Sequence, residues 1–165
     1  MNDDFQLRQS IQKFLAKEAF YLDEKDWDQW LALYAEDAEY WVPTWDDDGQ
    51  LTKDPNNEIS LIYYSNRGGL EDRVFRLRTE RSAASFPWTR TSHHFTLLHA
   101  ETGADDITRV RANWVTLSYR EGHDNRYFGW SEYELVPKDG DWVIKKKKTV
   151  VHNDTANSTL DIYSI

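Results

Sequence analysis

The stretch Thr108–Arg120, TRVRANWVTLSYR, is the part of the sequence that decides the fold class. It is long, rich in β-branched and aromatic residues, and interrupted by neither glycine nor proline, which is typical of a β-strand. Similar stretches occupy 93–100, 127–136 and 142–151. The segments between them have turn composition: Glu101-Thr102-Gly103, Glu121-Gly122-His123-Asp124 and Lys138-Asp139-Gly140. The sequence therefore predicts a curved meander of four antiparallel strands.

Apolar residues fall on both faces of these predicted strands. In 109–120 the apolar set starts in one phase with Val110, Ala112 and Trp114 and continues in the other with Val115, Leu117 and Tyr119. This indicates either a bulge near Trp114 or a strand covered on both faces. In 127–136, Phe128 and Trp130 oppose Tyr127, Tyr133 and Leu135. Because one layer of helices covers one face only, we expect self-association, with Trp114, Tyr119 and Trp130 as candidate contacts.

Helices are predicted in the N-terminal half of the chain. Apolar residues at helical spacing indicate an amphipathic helix over 4–22, and a capping box from Asp26 to Gln29 starts a second, shorter one. A strand over 38–42 ends at Pro43 and is followed by an acidic surface loop. After a short apolar run at 59–64, the spacing predicts a third helix over about 69–80.

Length, composition and charge exclude several classes of protein. The chain has 165 residues, which fits a single domain spanning 1–165. It has no cysteine, so disulfides, thiolate nucleophiles and cysteine-held iron–sulfur or zinc sites are excluded. A net charge of −9 argues against nucleic acid and anionic membranes as partners. Without a signal peptide or an apolar run of about 20 residues, a cytoplasmic location is expected.

The histidines are the first candidates for chemistry. His94 and His99 have the spacing of two iron ligands on a helix, but residues five apart on a regular strand face opposite ways, so we expect no metal there. A carboxylate and a histidine that share the apolar interior of the sheet could form an acid–base pair. Asp37 with His93 or His94 is the candidate, and adjacent strand residues allow only one of the two histidines to point inward.

Two runs of basic residues stand out against the acidic N-terminal third. Residues 1–58 carry a net charge of −10, whereas six arginines lie between 67 and 90, at positions 67, 73, 76, 78, 81 and 90. We expect Arg67, Arg73, Arg76 and Arg90 to contact another subunit, with pairing inside the chain as the alternative. The run of lysines at 145–148 should place two lysines on each face of a strand, for solubility or for protection of a sheet edge.

Segments spread over nearly the whole chain form a series whose order is informative. They are Glu18-Ala19 through Leu22-Asp23, Trp27 to Trp30-Leu31, YAEDAEYWVP at 34–43, ISLIYY at 59–64, NRGGLEDRVFRL at 66–77, TRTSH at 89–93, and Asn153-Asp154 through Leu160-Asp161-Ile162-Tyr163. Together they resemble the small, or beta, subunit of bacterial aromatic-ring-hydroxylating dioxygenases, in particular the benzoate and anthranilate type. No single segment is decisive, but their order and extent are specific.

The resemblance implies a fold and a role. The fold would be an α+β cone roll of the nuclear transport factor type, a strongly curved, mostly antiparallel sheet around about three helices. The chain would be a non-catalytic structural subunit that forms a homotrimer and joins three large subunits in a hexamer. A Rieske [2Fe-2S] cluster and a mononuclear Fe(II) would lie on the large subunit, which would receive electrons from a reductase. The complex would cis-dihydroxylate an aromatic carboxylate such as benzoate, halobenzoate or anthranilate.

Two alternatives remain open because the same cone fold carries other functions. One is a free-standing dehydratase or isomerase that uses Asp37 with His93 or His94. The other is a non-catalytic protein that binds a small apolar molecule in the cone. The sequence also does not choose among the aromatic acids, because the atoms that touch the ring are expected on the large subunit.

Overall fold

Two helices, two strands and a third helix form the first half of the chain, and a β-meander forms the second half. The computed structural model describes residues 2–80, 87–153 and 160–165. Its helices are α1 (Asn2–Glu24), α2 (Trp27–Ala32) and α3 (Arg67–Glu80), and a 3₁₀ helix spans Ile162–Ser164. The strands are β1 (Tyr34–Pro43), β2 (Ser60–Tyr64), β3 (Arg90–Thr102), β4 (Thr108–Arg120), β5 (His123–Lys138) and β6 (Asp141–Val151).

The described strands form one six-stranded sheet in the order β2-β1-β6-β5-β4-β3. Neighbouring strands are antiparallel except β1 and β6, which are parallel. Helix α1 packs against β3 at one edge and also against β6, three positions further along the sheet. The sheet therefore curves around the helix. The predicted α+β cone with a mostly antiparallel sheet is confirmed, as is the meander from β3 to β6.

Local sequence signals start the short helix and close two of the hairpins. Asp26 caps α2 by accepting a hydrogen bond from the backbone N–H of Gln29, 3.4 Å away. The predicted turns at Glu121-Gly122 and Asp139-Gly140 place both residues at positive φ, between 50° and 84°. Two consecutive positive φ values match the twist of a two-residue β-hairpin, which explains the glycine in each pair.

Strand β4 has no bulge at Trp114. Its register with β5 is continuous from Thr108 to Arg120, so the change of phase reflects apolar residues on both faces. The helices cover the inner face, where Val110 and Ala112 are buried. Leu117 and Tyr119 are 47% and 42% exposed on the outer face. Of the two interpretations of this strand, the structure supports the one with two apolar faces.

The lysine run lies in the middle of the sheet, so the prediction that it protects an edge is wrong. Strand β6 pairs with β1 on one side and with β5 on the other. Lys147 points inward and is 4% exposed, whereas Lys146 and Lys148 are part of the outer face. Lys145 is the extra residue of a bulge, because Glu134 pairs with Lys146 and the next residue, Leu135, pairs with Ile144.

Candidate functional site

A buried carboxylate, Glu18 of α1, is the centre of a polar cluster inside the cone. It accepts hydrogen bonds from the hydroxyl groups of Tyr34 and Tyr133, both at 2.9 Å, and from Lys147 Nζ at 2.6 Å. Burial and the negative charge of Glu18 raise the pKa of both tyrosines well above the usual value, so their hydroxyl groups remain donors. The carboxylate is bonded on both oxygens, and the arrangement is that of a structural core network.

A second carboxylate ties the end of α1 to β3. His93 Nδ1 lies 2.5 Å from Asp23 Oδ1, which also accepts a hydrogen bond from the Thr91 hydroxyl at 2.9 Å. The backbone N–H of His93 donates to the other oxygen of Asp23 at 3.1 Å. Burial raises the pKa of Asp23, but these hydrogen bonds outweigh it and leave the pKa below its ordinary value. Asp23 therefore orients the imidazole ring of His93.

The acid–base pair predicted from the sequence does not form. Asp37 lies on β1, its side chain is 71% exposed, and it is bound to Lys145. The same ion pair lowers its pKa, as expected for an exposed carboxylate beside a lysine. His93 faces inward and uses Asp23 as its partner, whereas His94 is exposed and lies 2.8 Å from the Ser92 hydroxyl. The sequence predicted that only one of the two histidines points inward, without deciding which, and it assigned the wrong carboxylate.

The cavity beside these groups is too small for an organic ligand. It has a volume of about 40 Å³ and lies between α1 and the inner face of β3, β4 and β5. Pockets that bind small organic molecules are typically about 300–1,000 Å³. Leu15, Leu22 and Trp114 line the cavity and occupy the interior of the cone. The geometry therefore supports neither the dehydratase nor the ligand-binding alternative.

His94 and His99 both face outward, so the predicted reason for excluding a metal there is wrong. Leu97 pairs with Ala112 and His99 pairs with Arg111, which leaves Leu98 as a bulge. The bulge changes the parity of the strand and brings both exposed histidines to the outer face. Five residues of strand still separate them by roughly 16 Å. In the described ranges, no group of three or more His, Asp or Glu could hold a metal ion.

The arginine-rich segment has partners inside the chain at three positions. Arg67 donates to Glu71 at 2.8 Å and to the backbone carbonyl of Tyr34 at 3.0 Å. Arg73 pairs with Asp161, a carboxylate that also caps the 3₁₀ helix. Arg78 pairs with Asp28. Arg81 lies outside the described residues.

The other arginines and aromatic residues proposed as contacts lie on helix α3 or on one of the two faces of the sheet. Arg76 is exposed on α3 and makes no ion pair with the part of the chain that the structure describes. Arg90 is exposed and lies over the ring of Tyr119, 5.1 Å from its centroid. Trp114 faces inward and packs against the core. Trp130 lies on the outer face.

Aromatic rings and cations alternate across the outer face. Lys148 of β6 lies 4.8 Å from the ring of Trp41 and 5.6 Å from that of Trp130. The guanidinium group of Arg111 lies 3.5 Å from the same Trp130 ring and donates to Glu132 at 2.9 Å. We call Trp41, Lys148, Trp130 and Arg111 the outer stack. These cation–π contacts hold the side chains of β1, β6, β5 and β4 in a fixed arrangement.

An apolar surface lies on the outer face at the other end of β4. Val115 pairs with Phe128 of β5 in the strand register, and Leu117 and Tyr119 follow Val115 on the same face. Phe128 is 43% exposed, similar to Leu117 and Tyr119. We call these four residues the outer apolar patch. Patches of this kind mark contact surfaces between proteins.

Comparison with known proteins assigns the chain to a family. The family described as "Ring hydroxylating beta subunit" matches residues 17–158. The beta subunit of toluate 1,2-dioxygenase from Pseudomonas putida is 45% identical over 95% of this chain and 97% of its own length. The benzoate 1,2-dioxygenase beta subunit from Acinetobacter baylyi is 46% identical over 95% of this chain and 93% of its own. The chain belongs to the ring-hydroxylating beta-subunit family.

A solved structure of the family has the same fold. The beta subunit of benzoate 1,2-dioxygenase from Burkholderia mallei is 46% identical, covers 94% of this chain and 95% of its own, and superposes with a TM-score of 0.80. A candidate scytalone dehydratase from Novosphingobium aromaticivorans also superposes, with a TM-score of 0.66 at 16% identity, which shows the cone fold alone. The resemblance predicted from the sequence is therefore confirmed. This chain is one subunit of a multi-subunit dioxygenase.

The sequence did not predict that Glu18 and Lys147 belong to a buried polar cluster, although Glu18 has a visible signal. Leu15, Glu18 and Leu22 are spaced i, i+3 and i+7 on one helix face, so the carboxylate lies within the buried stripe of α1. A charge at such a position predicts a buried partner. Lys147 has no such signal. The bulge at Lys145 decides which lysines of the run face inward, and alternation along the sequence does not reveal that bulge.

No helix of the described residues is both long and apolar enough to cross a membrane.

Proposed function

We propose that this chain is the non-catalytic small subunit of a dioxygenase that cis-dihydroxylates an aromatic carboxylate such as benzoate, halobenzoate or anthranilate. The observation that carries the proposal is the 45–46% identity with toluate and benzoate dioxygenase beta subunits over 95% of the chain. The small, filled interior supports it, because an interior of about 40 Å³ has no room for an aromatic acid. The whole chain, 1–165, acts in this proposal as one domain.

The catalytic centres belong, in this proposal, to the large subunit. That subunit carries the Rieske [2Fe-2S] cluster and the mononuclear Fe(II), and electrons reach it from a reductase. This chain has no cysteine, and its described residues hold no cluster of three metal-ligating side chains, so they do not fit either group. Three small and three large subunits form a cytoplasmic hexamer in which the small subunits stabilise the assembly.

The outer face supplies the contacts between subunits. We assign the outer apolar patch, with Tyr119, to the homotrimer of small subunits, because it is exposed on the face that the helices leave uncovered. Arg76, Arg90 and Trp130 remain candidate contacts, and Phe75, next to Arg76 on α3, is 66% exposed. Arg67, Arg73 and Trp114 are used inside the chain.

Co-expression with a large subunit of a benzoate- or anthranilate-type ring-hydroxylating dioxygenase tests the proposed function. We expect the two chains to co-purify in equal amounts, with iron and activity toward benzoate or a related acid only when the large subunit is present. Iron is measured on each chain after separation. Stoichiometric iron on the isolated small subunit, or a failure of the chains to associate, would contradict the proposal.

Single arginine variants test which positions contact the large subunit. Arg76→Ala and Arg90→Ala should weaken assembly by about 2–5 kcal/mol if the side chains are desolvated in the interface, without changing the stability of the isolated chain. Arg73→Ala is the matched comparison, because its pair with Asp161 is largely buried in the chain. It should lower the stability of the isolated chain. Unchanged assembly in both test variants would remove these arginines from the interface.

A further inference from the structure

Three buried polar atoms belong to residues that line the small cavity inside the cone. They are His93 Nε2, Trp114 Nε1 and Thr116 Oγ1, and none makes a hydrogen bond with the residues that the structure describes. All three residues line the cavity of about 40 Å³. The side chain of His93 is 9% exposed, so its unpartnered nitrogen is shielded from bulk solvent. Buried polar atoms are nearly always hydrogen-bonded in folded proteins, so three of them on residues that line one cavity point to a shared partner.

The strand register explains why these atoms are neighbours. His93 of β3 pairs with Thr116 of β4, and directly opposite residues have Cβ atoms about 5 Å apart on the same face. Trp114 is two residues from Thr116 and therefore also points inward. The apolar side chains of Leu15 and Leu22 close the cavity from the side of α1.

The hydrogen-bonding capacity of the three atoms defines what can bind between them. The carboxylate of Asp23 accepts a hydrogen bond from Nδ1–H of His93, so in the neutral form of the ring Nε2 is an acceptor. The indole nitrogen of Trp114 can only donate, and the hydroxyl of Thr116 can do either. A single molecule must therefore both accept and donate hydrogen bonds.

We propose that this cavity is a site for one ordered water molecule. The water accepts a hydrogen bond from Trp114 Nε1, donates to His93 Nε2 and exchanges a third hydrogen bond with Thr116 Oγ1. The cavity volume of about 40 Å³ is enough for a water molecule, and buried waters typically make about three hydrogen bonds, the number available here. An anion fits less well, because Nε2 is an acceptor and Asp23 adds a negative charge behind the ring.

This site gives the interior of the cone a structural role. The water links β3 to β4 through side chains and holds His93 in the tautomer that Asp23 requires. The site involves neither the substrate nor the large subunit. The test of the water site and the test of the proposed function therefore give independent results.

A crystal structure of the full chain grown with bromide tests the proposal, with data collected at the bromine absorption edge. We expect one density peak within about 3.2 Å of His93 Nε2, Trp114 Nε1 and Thr116 Oγ1, without anomalous signal. Trp30 Nε1 is the internal control, because it is also buried and unpartnered but packs among the rings of Trp27, Tyr34 and Tyr40. No peak should appear beside it. An empty cavity, or an anomalous bromide peak in it, would overturn the assignment.

Two substitutions at one position identify the third hydrogen bond. Thr116→Val keeps the shape of the side chain without the hydroxyl, and we expect the density peak to be lost. Thr116→Ser keeps the hydroxyl, and we expect the peak at its original position. An unchanged peak in Thr116→Val would overturn the three-ligand site, and the map of the unaltered chain decides the proposal even if a variant fails to fold.

Discussion

Lys147 and Lys145 show how burial changes the energetic role of the same residue type. Lys147 is 4% exposed and bound to the buried carboxylate of Glu18, whereas the side chain of Lys145 is 36% exposed and paired with the exposed Asp37. Removal of one member of a buried ion pair leaves the other charge uncompensated in a medium of low polarity. The two lysines, two positions apart on β6, therefore offer a matched pair of substitutions.

We expect Lys147→Met to lower the free energy of unfolding by about 3–5 kcal/mol, because the Glu18 carboxylate then loses its counter-charge. Lys145→Met should change it by less than about 1 kcal/mol, since exposed ion pairs contribute little. Urea denaturation of both variants at neutral pH measures the difference. Equal losses would show that the buried cluster does not depend on the lysine.

The Asp23–His93 contact predicts a pH dependence of stability. The pKa of Asp23 lies below its ordinary value of 3.8 in the folded chain, so its ionised form is stabilised by folding. This contribution is fully present above pH of about 4 and is lost as the pH falls below that value toward the folded pKa.

We therefore expect Asp23→Asn to be destabilising at pH 6, with a difference from the unaltered chain that shrinks between pH 4 and pH 2. Urea midpoints measured across this range give the comparison. Asp28→Asn is the control, because the Asp28 side chain is 80% exposed and should contribute little at any pH. A difference that grows with acidity would mean that Asp23 is not stabilised as the ion.

At the scale of elements, the outer stack joins strands through side chains as well as through the backbone. Arg111 of β4 lies against Trp130 of β5, and Lys148 of β6 contacts the same ring. Such contacts contribute about 0.5–1 kcal/mol at exposed sites, more where the cation is partly desolvated. The sheet thus gains cross-strand stability on the face that the helices do not cover.

A double-mutant cycle between Trp130→Leu and Arg111→Gln should give a coupling energy of about 0.5–1 kcal/mol. Arg109 lies two residues from Arg111 on the same face but pairs with Asp105 at 2.7 Å. The cycle between Trp130→Leu and Arg109→Gln should therefore give a coupling near zero. Thermal or urea unfolding of the isolated chain supplies both cycles, and equal coupling in the two would argue against a specific cation–π contact.

At the scale of the whole molecule, the exposed apolar surface predicts self-association. One side of the sheet packs on the helices, whereas Leu117, Tyr119 and Phe128 of the outer apolar patch are 42–47% exposed on the other side. We therefore expect a second copy of this chain of 19.6 kDa to cover the patch.

We expect light scattering at micromolar concentration to show a trimer of the isolated chain. The double substitution Leu117→Glu with Phe128→Glu should give a folded species near 19.6 kDa, because it places charges in the contact. Phe20→Glu is the control, since Phe20 is 60% exposed on α1 and lies away from the patch. A trimer that survives the double substitution but dissociates in the control would show that the interface lies at α1 and not at the outer apolar patch.

The features that the sequence predicted correctly depend on a few neighbouring residues. The strands of the meander, the Asp26 cap and the two glycine turns follow from side-chain alternation, capping and positive φ, each of which acts within about five positions. For β4, alternation left a bulge and two apolar faces as alternatives, and the continuous register with β5 decided between them. Family resemblance then supplied the cone and the role of the chain, because it uses the order of segments over the whole length.

Only the tertiary structure decided which distant residues meet. Alternation counts positions from one end of a strand, so a single bulge at Leu98 or Lys145 reverses the faces beyond it, and neither bulge has a local signature. For the same reason His94 and His99 share a face. Helix α1 carries Asp23 and Glu18 to His93 and Lys147 across 70 and 129 positions of sequence. Such pairings depend on how the sheet curves around the helix. The spacing of residues along the chain does not predict that curvature.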